Sequence, residues 1–206
     1  MIDLGLVLLF IPTFMFISAT PGMCMTLALS LGMSIGVRRT MWMMWGELIG
    51  VGLVAVLAVI GVASIMLNYP LAFQVLKYAG GAYLVYLGIM QWQSRGKLAL
   101  NNESAMLHAS PRKLAAQGFI TAVANPKGWA FTVSLLPSFI NPELAMPPQL
   151  AILVAIILMC EFFFLMLYAS GGKTLRRLLE KHDRLQWLNR ISGSLILLVG
   201  VWLALS

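Results

Sequence analysis

Charge is scarce in this chain. Of its 206 residues only 10% are charged while 60% are hydrophobic, where an ordinary soluble domain carries about 25% charged and about 45–50% apolar residues. A soluble fold of this length cannot hide so much apolar surface, which excludes a water-soluble enzyme, a disordered tail and a disulfide-stapled scaffold. Histidine is nearly absent too. His108 and His182 both fall in polar loops, so no HExxH metal site and no buried Ser/His proteolytic pair is expected within an apolar segment. No GxxxxGK[ST] loop occurs, which excludes ATP hydrolysis by that route. The two cysteines, Cys24 and Cys160, lie in apolar runs without CxxC spacing and say nothing about redox compartment. Period-2 alternation is missing as well, against a membrane β-barrel. The expectation is a chain in lipid that is no enzyme and has neither cofactor nor metal.

What is there is a succession of apolar stretches. They run roughly from Leu4 to Ile35, Met41 to Leu67, Leu71 to Trp92, Leu114 to Phe139, Leu150 to Ser170 and Leu188 to Leu205. A helix needs about 20 apolar residues to cross the hydrocarbon core, so the expected fold is an all-α integral membrane protein of six transmembrane helices. It forms one domain over 1–206. The first segment reads as a span rather than a cleaved leader, because Asp3 is its only early charge and its apolar run is long. Arg38 and Arg39 lie in the first loop; Arg95, Lys97, Arg112 and Lys113 in the third; Lys173, Arg176, Arg177, Lys181, Arg184 and Arg190 in the fifth. The second and fourth loops, around Asn68-Tyr69-Pro70 and Asn141-Pro142-Glu143, have no Lys or Arg. Basic loops stay cytoplasmic, so both termini are expected outside. The net charge of +7 then reads as a topology signal and not as a nucleic-acid footprint; contact with anionic lipid at the last loop stays open.

Three helices per half must enter the membrane from opposite sides, so likeness is expected between segments one and four, two and five, three and six. Thr20-Pro21-Gly22 matches Asn125-Pro126-Lys127-Gly128. Glu47 matches Glu161. Gly81 and Gly88 match Gly193 and Gly200 at the same spacing. The pattern predicts two inverted three-helix repeats, 1–93 and 114–206, joined by a cytoplasmic loop over 94–113. Pro21 and Pro126 each remove a backbone donor, and freed carbonyls in lipid need protein or a water-lined cavity to satisfy them. Two readings stay open: a simple kink, or broken helices whose restarted ends aim N–H groups at a carboxylate in the bilayer middle.

An intramembrane ion is a functional-site hypothesis by default. Lys127 lies well inside segment four, facing either a solute carboxylate or an interface by snorkelling. Glu161 lies mid-segment among Met159, Cys160, Phe162 and Phe163, and either exchanges a proton, binds an ammonium, or forms a structural pair with Lys127. Glu47 is the second candidate for proton coupling, with the headgroups as its alternative destination. Lys77 reads as a snorkelling residue. Tyr78, Tyr83, Tyr86 and Trp129 are candidates for a cavity wall, Trp42, Trp92 and Trp187 for the inner interface. The glycines of Gly46-Glu47-Leu48-Ile49-Gly50 and Gly80-Gly81 read as close helix packing, and the methionines as lipid-facing or adaptable packing.

These residues resemble the LysE/RhtB-type amino-acid exporter family over essentially the whole chain. Ser18-Ala19-Thr20-Pro21-Gly22 looks like that family's TPG signature, and Ala124-Asn125-Pro126-Lys127 like its NPK signature. The stretch from Leu76 to Gly88 is similar to its GAAYLxxLG segment, and Leu136-Pro137-Ser138-Phe139 resembles its FLPQF ending. The resemblance implies a proton-driven exporter of an amino acid or related small metabolite in the bacterial inner membrane. It points to Thr20, Pro21, Gly22, Asn125, Pro126 and Lys127 as substrate-binding and to Glu161 as the acidic partner. A homodimer stays open. One departure stands out: the family continues TPG with Pro-Asn, whereas this chain has Met23-Cys24, which argues for a different, less polar substrate. Two rivals are a CcdA/DsbD-like thiol carrier using Cys24 and Cys160, which lie in unmatched segments, and a passive channel.

Overall fold

The computed structural model describes residues 3–93 and 109–180, and, in the last segment, residues 187, 190, 191, 193, 194, 196–198, 200 and 201. Arg95, Lys97, His108, Lys181, His182 and Arg184, and the side chains of Lys77, Lys173, Arg176 and Arg177, lie outside the described residues, and with them most of the loop charges. The described chain is helical and contains no strand.

Segment one is broken. Asp3 caps α1 (Leu4–Ala19) by accepting the Leu6 amide at 3.2 Å. After Thr20-Pro21-Gly22 the chain restarts as α2 (Met23–Ile35), bent by 56° from α1. Gly36 then ends α2 at φ 79°, a left-handed backbone that costs glycine nothing, so α3 (Val37–Asn68) follows at once. Proline opens the next helix, α4 (Pro70–Gln93). Ser110 caps α5 (Pro111–Val123) through the Lys113 amide, with Pro111 in the first turn where a missing donor costs nothing. Segment four breaks as segment one does. Asn125 caps α6 (Pro126–Ser134), and a 3-10 turn over Leu136–Phe139 follows.

Segment five differs from expectation. Helix α7 (Met146–Glu180) takes Pro147 and Pro148 into its first turn instead of leaving them in a loop, because first-turn amides lack intrahelical partners anyway. It runs about 52 Å at about 1.5 Å per residue, well beyond the hydrocarbon core. Val37–Gly61 and Met146–Gly171 are each long and apolar enough to cross a membrane, and the bent pair α1–α2 makes a third such span; Tyr78–Met90 is a shorter apolar helix.

Glycine sets how closely these helices lie. A Cβ on Gly118 would strike the Met43 carbonyl and come within 2.9 Å of the Glu47 nitrogen, and one on Gly46 would strike the Ala115 carbonyl, so α3 and α5 touch backbone to backbone. Gly32 brings α2 against Ala169 of α7 in the same way. Helix α4 runs antiparallel to the last segment: Gly88 lies against Gly193 and Gly81 against Gly200, with the Arg190 guanidinium 5.2 Å over the Trp92 ring. Two apolar clusters form inside. One gathers Met25, Leu29, Met43, Leu114 and Leu165; the other gathers Phe14, Val59, Leu84, Phe131 and Ile157. Outward faces are also apolar, at Leu8, Leu9, Ile49, Ile60, Met159 and Phe163, an exposure suited to lipid rather than water.

Candidate functional site: a cavity between two helix breaks

The two breaks meet. Pro21 cannot give the amide that the Ile17 carbonyl would take in an unbroken helix. The Thr20 amide turns back to that carbonyl at 3.2 Å, and Lys127 adds a second donor: its Nζ donates to the Ile17 carbonyl at 2.9 Å and to the Thr20 carbonyl at 3.2 Å. The third loosened carbonyl, Ala19, accepts the Tyr168 hydroxyl at 3.0 Å from α7. In segment four the Trp129 indole donates to the Val123 carbonyl at 2.8 Å. Asn125 Oδ1 accepts the Lys127 amide at 3.1 Å, and Asn125 Nδ2 donates to Cys24 Sγ at 3.7 Å. So these carbonyls find protein partners, as backbone in lipid must.

Between the breaks lies a cavity of about 50 Å³. At about 10–15 Å³ per water, that is room for about three to five waters or a few non-hydrogen atoms of a small solute. Its polar wall is Ser18, Thr20, Gly22, Asn125, Lys127 and Thr132 with the acids Glu47 and Glu161; Phe14, Cys24, Met25, Val51 and Phe131 supply apolar wall. A Cβ on Gly22 would be 3.8 Å from Lys127 Cδ, so a larger residue there narrows the space beside the lysine.

The sequence-predicted residues are thus mostly gathered in one place. Thr20, Gly22, Asn125, Lys127, Glu47 and Glu161 line the cavity. Pro21 and Pro126 are not in its wall; they act by breaking the backbone. Glu47 does not reach for headgroups. It is 1% exposed, with neither carboxyl oxygen hydrogen-bonded, because Gly118 lets α5 close over that side of α3. Nor do Lys127 and Glu161 form the direct pair left open by the sequence: Glu161 Oε1 accepts the Ser18 hydroxyl at 2.8 Å while the ammonium bonds carbonyls. Tyr78, Tyr83 and Tyr86 face outward, and Trp129 is a helix cap rather than cavity wall. Several methionines, including Met25, Met43 and Met44, are core rather than lipid-facing.

Ser18 and Tyr168 are contributors that sequence reasoning did not single out, and Cys24, considered there only as a redox thiol and a departure from the family pattern, is part of the cavity wall. Tyr168 lies two turns after Glu161 on α7, a spacing that puts both on one face and was the available signal. Helix α2 adds a further feature: Gly22 supplies no side-chain cap, so its first-turn amides have no intrahelical partner beside the cavity.

A partly open, mostly apolar pocket with a few converging polar groups, set between interrupted apolar helices, is a construction that membrane transporters use. Residues 15–206 match the family model of the LysE type translocators, and the chain belongs to that family. It is 29% identical over 188 residues to a homoserine/homoserine lactone efflux protein of Salmonella typhimurium, covering 91% of this chain and 90% of that one. A leucine efflux protein of Klebsiella pneumoniae is 28% identical over 200 residues, 92% and 88% of the two chains. An uncharacterized membrane protein of Vibrio cholerae is 29% identical over 202 residues, 98% of each. No solved structure matches.

Proposed function

We propose that this protein is a proton-coupled secondary transporter that exports a small amino acid or related metabolite across the bacterial inner membrane. The observation that carries the reading is the cavity at the junction of the two breaks, where one ammonium, two carboxyls and the uncapped start of α2 face a space of about 50 Å³. The carboxylate of the solute sits at the α2 N-terminus, where free amides and the positive helix end favour an anion, with the remaining Lys127 donor beside it. Its ammonium meets Glu161 or Glu47, and protons entering from outside exchange at the same acids. Asn125 serves this site by holding the α6 start and the Cys24 thiol rather than by bonding the solute. The apolar remainder of the wall and its small volume favour a compact, uncharged side chain.

The same reading takes the chain as six spans in two inverted three-helix repeats with both termini outside. Support comes from the matched breaks and from the glycine contacts: an in-plane two-fold that carries Gly81 to Gly193 and Gly88 to Gly200 also carries the Gly81–Gly200 contact onto the Gly193–Gly88 contact. Alternating access then needs unequal binding of proton and solute in inward and outward states.

Efflux of L-homoserine and L-leucine from proteoliposomes under an imposed pH gradient tests the proposal. Wild-type transport collapses in Glu161→Gln and in Lys127→Ala; unaltered pH-dependent efflux in both removes these residues from the mechanism. Accelerated exchange when unlabelled solute is placed on the far side identifies a carrier and refutes the passive channel.

A further inference from the structure

The two acids of the cavity are not equivalent. Glu161 has a donor, the Ser18 hydroxyl at 2.8 Å, and lies in the field of the Lys127 ammonium. Ser18 is itself 2% exposed. Glu47 has weaker help: both of its oxygens are buried without a hydrogen bond from a nitrogen or hydroxyl, and the side chain facing them is the Cys24 thiol, a weak donor. Lys127 does not serve it, because that ammonium is directed to the Ile17 and Thr20 carbonyls. The ionisable groups facing Glu47 are Cys24 from α2, Lys127 from α6 and Glu161 from α7. Helix α5 brings no ionisable side chain to the cavity and lays Gly118 against the Glu47 amide. A carboxylate left ionised there, with no donor stronger than the facing Cys24 thiol, carries a large uncompensated desolvation cost. A carboxylic acid does not, and neither does a carboxylate touched by an incoming cation.

We propose that Glu47 is the exchange carboxyl of this site: it holds a proton when the cavity is empty and gives it up to cavity water when the ammonium of an incoming amine arrives, while Glu161 is the fixed counter-charge of Lys127. The inference rests on the transport reading and deepens it. On arrival of the solute the O–H bond of Glu47 breaks, its proton passes to cavity water, and the carboxylate accepts an N–H of the solute ammonium. Lys127 and Glu161 cancel throughout, so a cationic lactone or ester replaces the proton without changing the charge of the site, whereas a zwitterionic amino acid, whose own carboxylate sits at the α2 start, leaves it one unit more negative. The solute class follows. It includes amines that are protonated at neutral pH, whether free amino acids or their lactones and esters. It excludes N-acylated and α-hydroxy analogues, which carry no cation to displace the proton.

Infrared difference spectroscopy of the full chain in lipid nanodiscs tests this directly, with L-homoserine as the probe. Wild type shows a carbonyl band of a protonated carboxylic acid that disappears in Glu47→Gln, shifts in Glu47→Asp and persists in Glu161→Gln. The Asp variant separates loss of the acid from loss of the fold. Addition of L-homoserine bleaches the band and releases one proton per bound solute into weakly buffered medium, while N-acetyl-homoserine does neither. A wild type without the band, a band lost in Glu161→Gln and kept in Glu47→Gln, or homoserine binding by calorimetry with the band untouched each overturns the assignment. A Glu47 band that is present while no homoserine binds counts instead against export of that amino acid and leaves the acid form of Glu47 standing.

Discussion

Replacing Lys127 by methionine removes the ammonium but keeps an unbranched apolar stem, which makes it the sharpest test of how the two breaks are joined. The substitution abolishes the hydrogen bonds to the Ile17 carbonyl at 2.9 Å and the Thr20 carbonyl at 3.2 Å. Hydrogen bonds to charged groups contribute about 1.5–3 kcal/mol each, an upper bound of about 3–6 kcal/mol for the pair. Interhelical polar interactions within membranes average nearer about 0.6 kcal/mol, which sets a floor of about 1 kcal/mol. Water decides between these bounds. The cavity beside the lysine has about 50 Å³, enough for a few waters to rehydrate the freed carbonyls, so the destabilisation falls at about 1–3 kcal/mol. In a chain of this size that lowers the thermal midpoint by about 2–12 °C, at about 2–4 °C per kcal/mol. The assay is thermal unfolding in detergent alongside proteoliposome efflux. Lys127→Gln separates the two roles of the residue: its amide restores one neutral donor and part of the midpoint, but no charge and no efflux. A Lys127→Met protein with the wild-type midpoint would refute the capping argument, and one with wild-type efflux would refute the role in transport.

Three further outcomes follow from the same geometry. Gly118→Ala forces a Cβ against the Met43 carbonyl and within 2.9 Å of the Glu47 nitrogen; backbone cannot swing aside as a side chain can, so stability falls by about 1–3 kcal/mol, and an unchanged denaturation curve would show that the helices part freely. Cys24 and Cys160 are both free thiols, so the double change Cys24→Ser with Cys160→Ser retains efflux; transport abolished in each single serine variant as well as in the double would revive the thiol carrier. The Leu6 amide, and after it Asn141, hold the Asp3 carboxyl below the ordinary carboxylate range. A lowered acid stabilises the fold above its unfolded value and loses that contribution as pH falls through its folded value. Amide-exchange protection in the first turn of α1 is therefore level near neutrality, declines below about pH 4, and is independent of this step in Asp3→Asn.

The tie at Asp3 shows how far local signals reach. An Asp before an apolar run marks a helix start from sequence alone, whereas its second bond, from Asn141 at 3.2 Å, joins residues that only the folded chain brings together. The proline positions behave likewise. Pro21 and Pro126 marked both places where a kink or a break was open; since Pro12 lies inside an unbroken α1, that these two break their helices, and that Lys127 supplies a donor at the first break, was not legible. Glu47 marks the limit most clearly. Its position near one end of an apolar run was compatible with the headgroups, and only the close α3–α5 packing at Gly46 and Gly118 encloses it. The tyrosines of α4 went the other way, outward, because the face of a helix that meets its neighbours is set by the whole bundle.

From composition and spacing alone came lipid as the solvent, helix as the expected secondary structure, the two candidate points of interruption and the family likeness. These depend on transfer free energies and backbone sterics, which act residue by residue or within a single turn. Tertiary structure decided which acid meets a hydroxyl and which a thiol, which carbonyls take the lysine, and that a cysteine and an asparagine a hundred residues apart share one wall. Such pairings depend on interhelical distances of a few ångströms, and those are fixed by glycine contacts between segments rather than by any pattern within one.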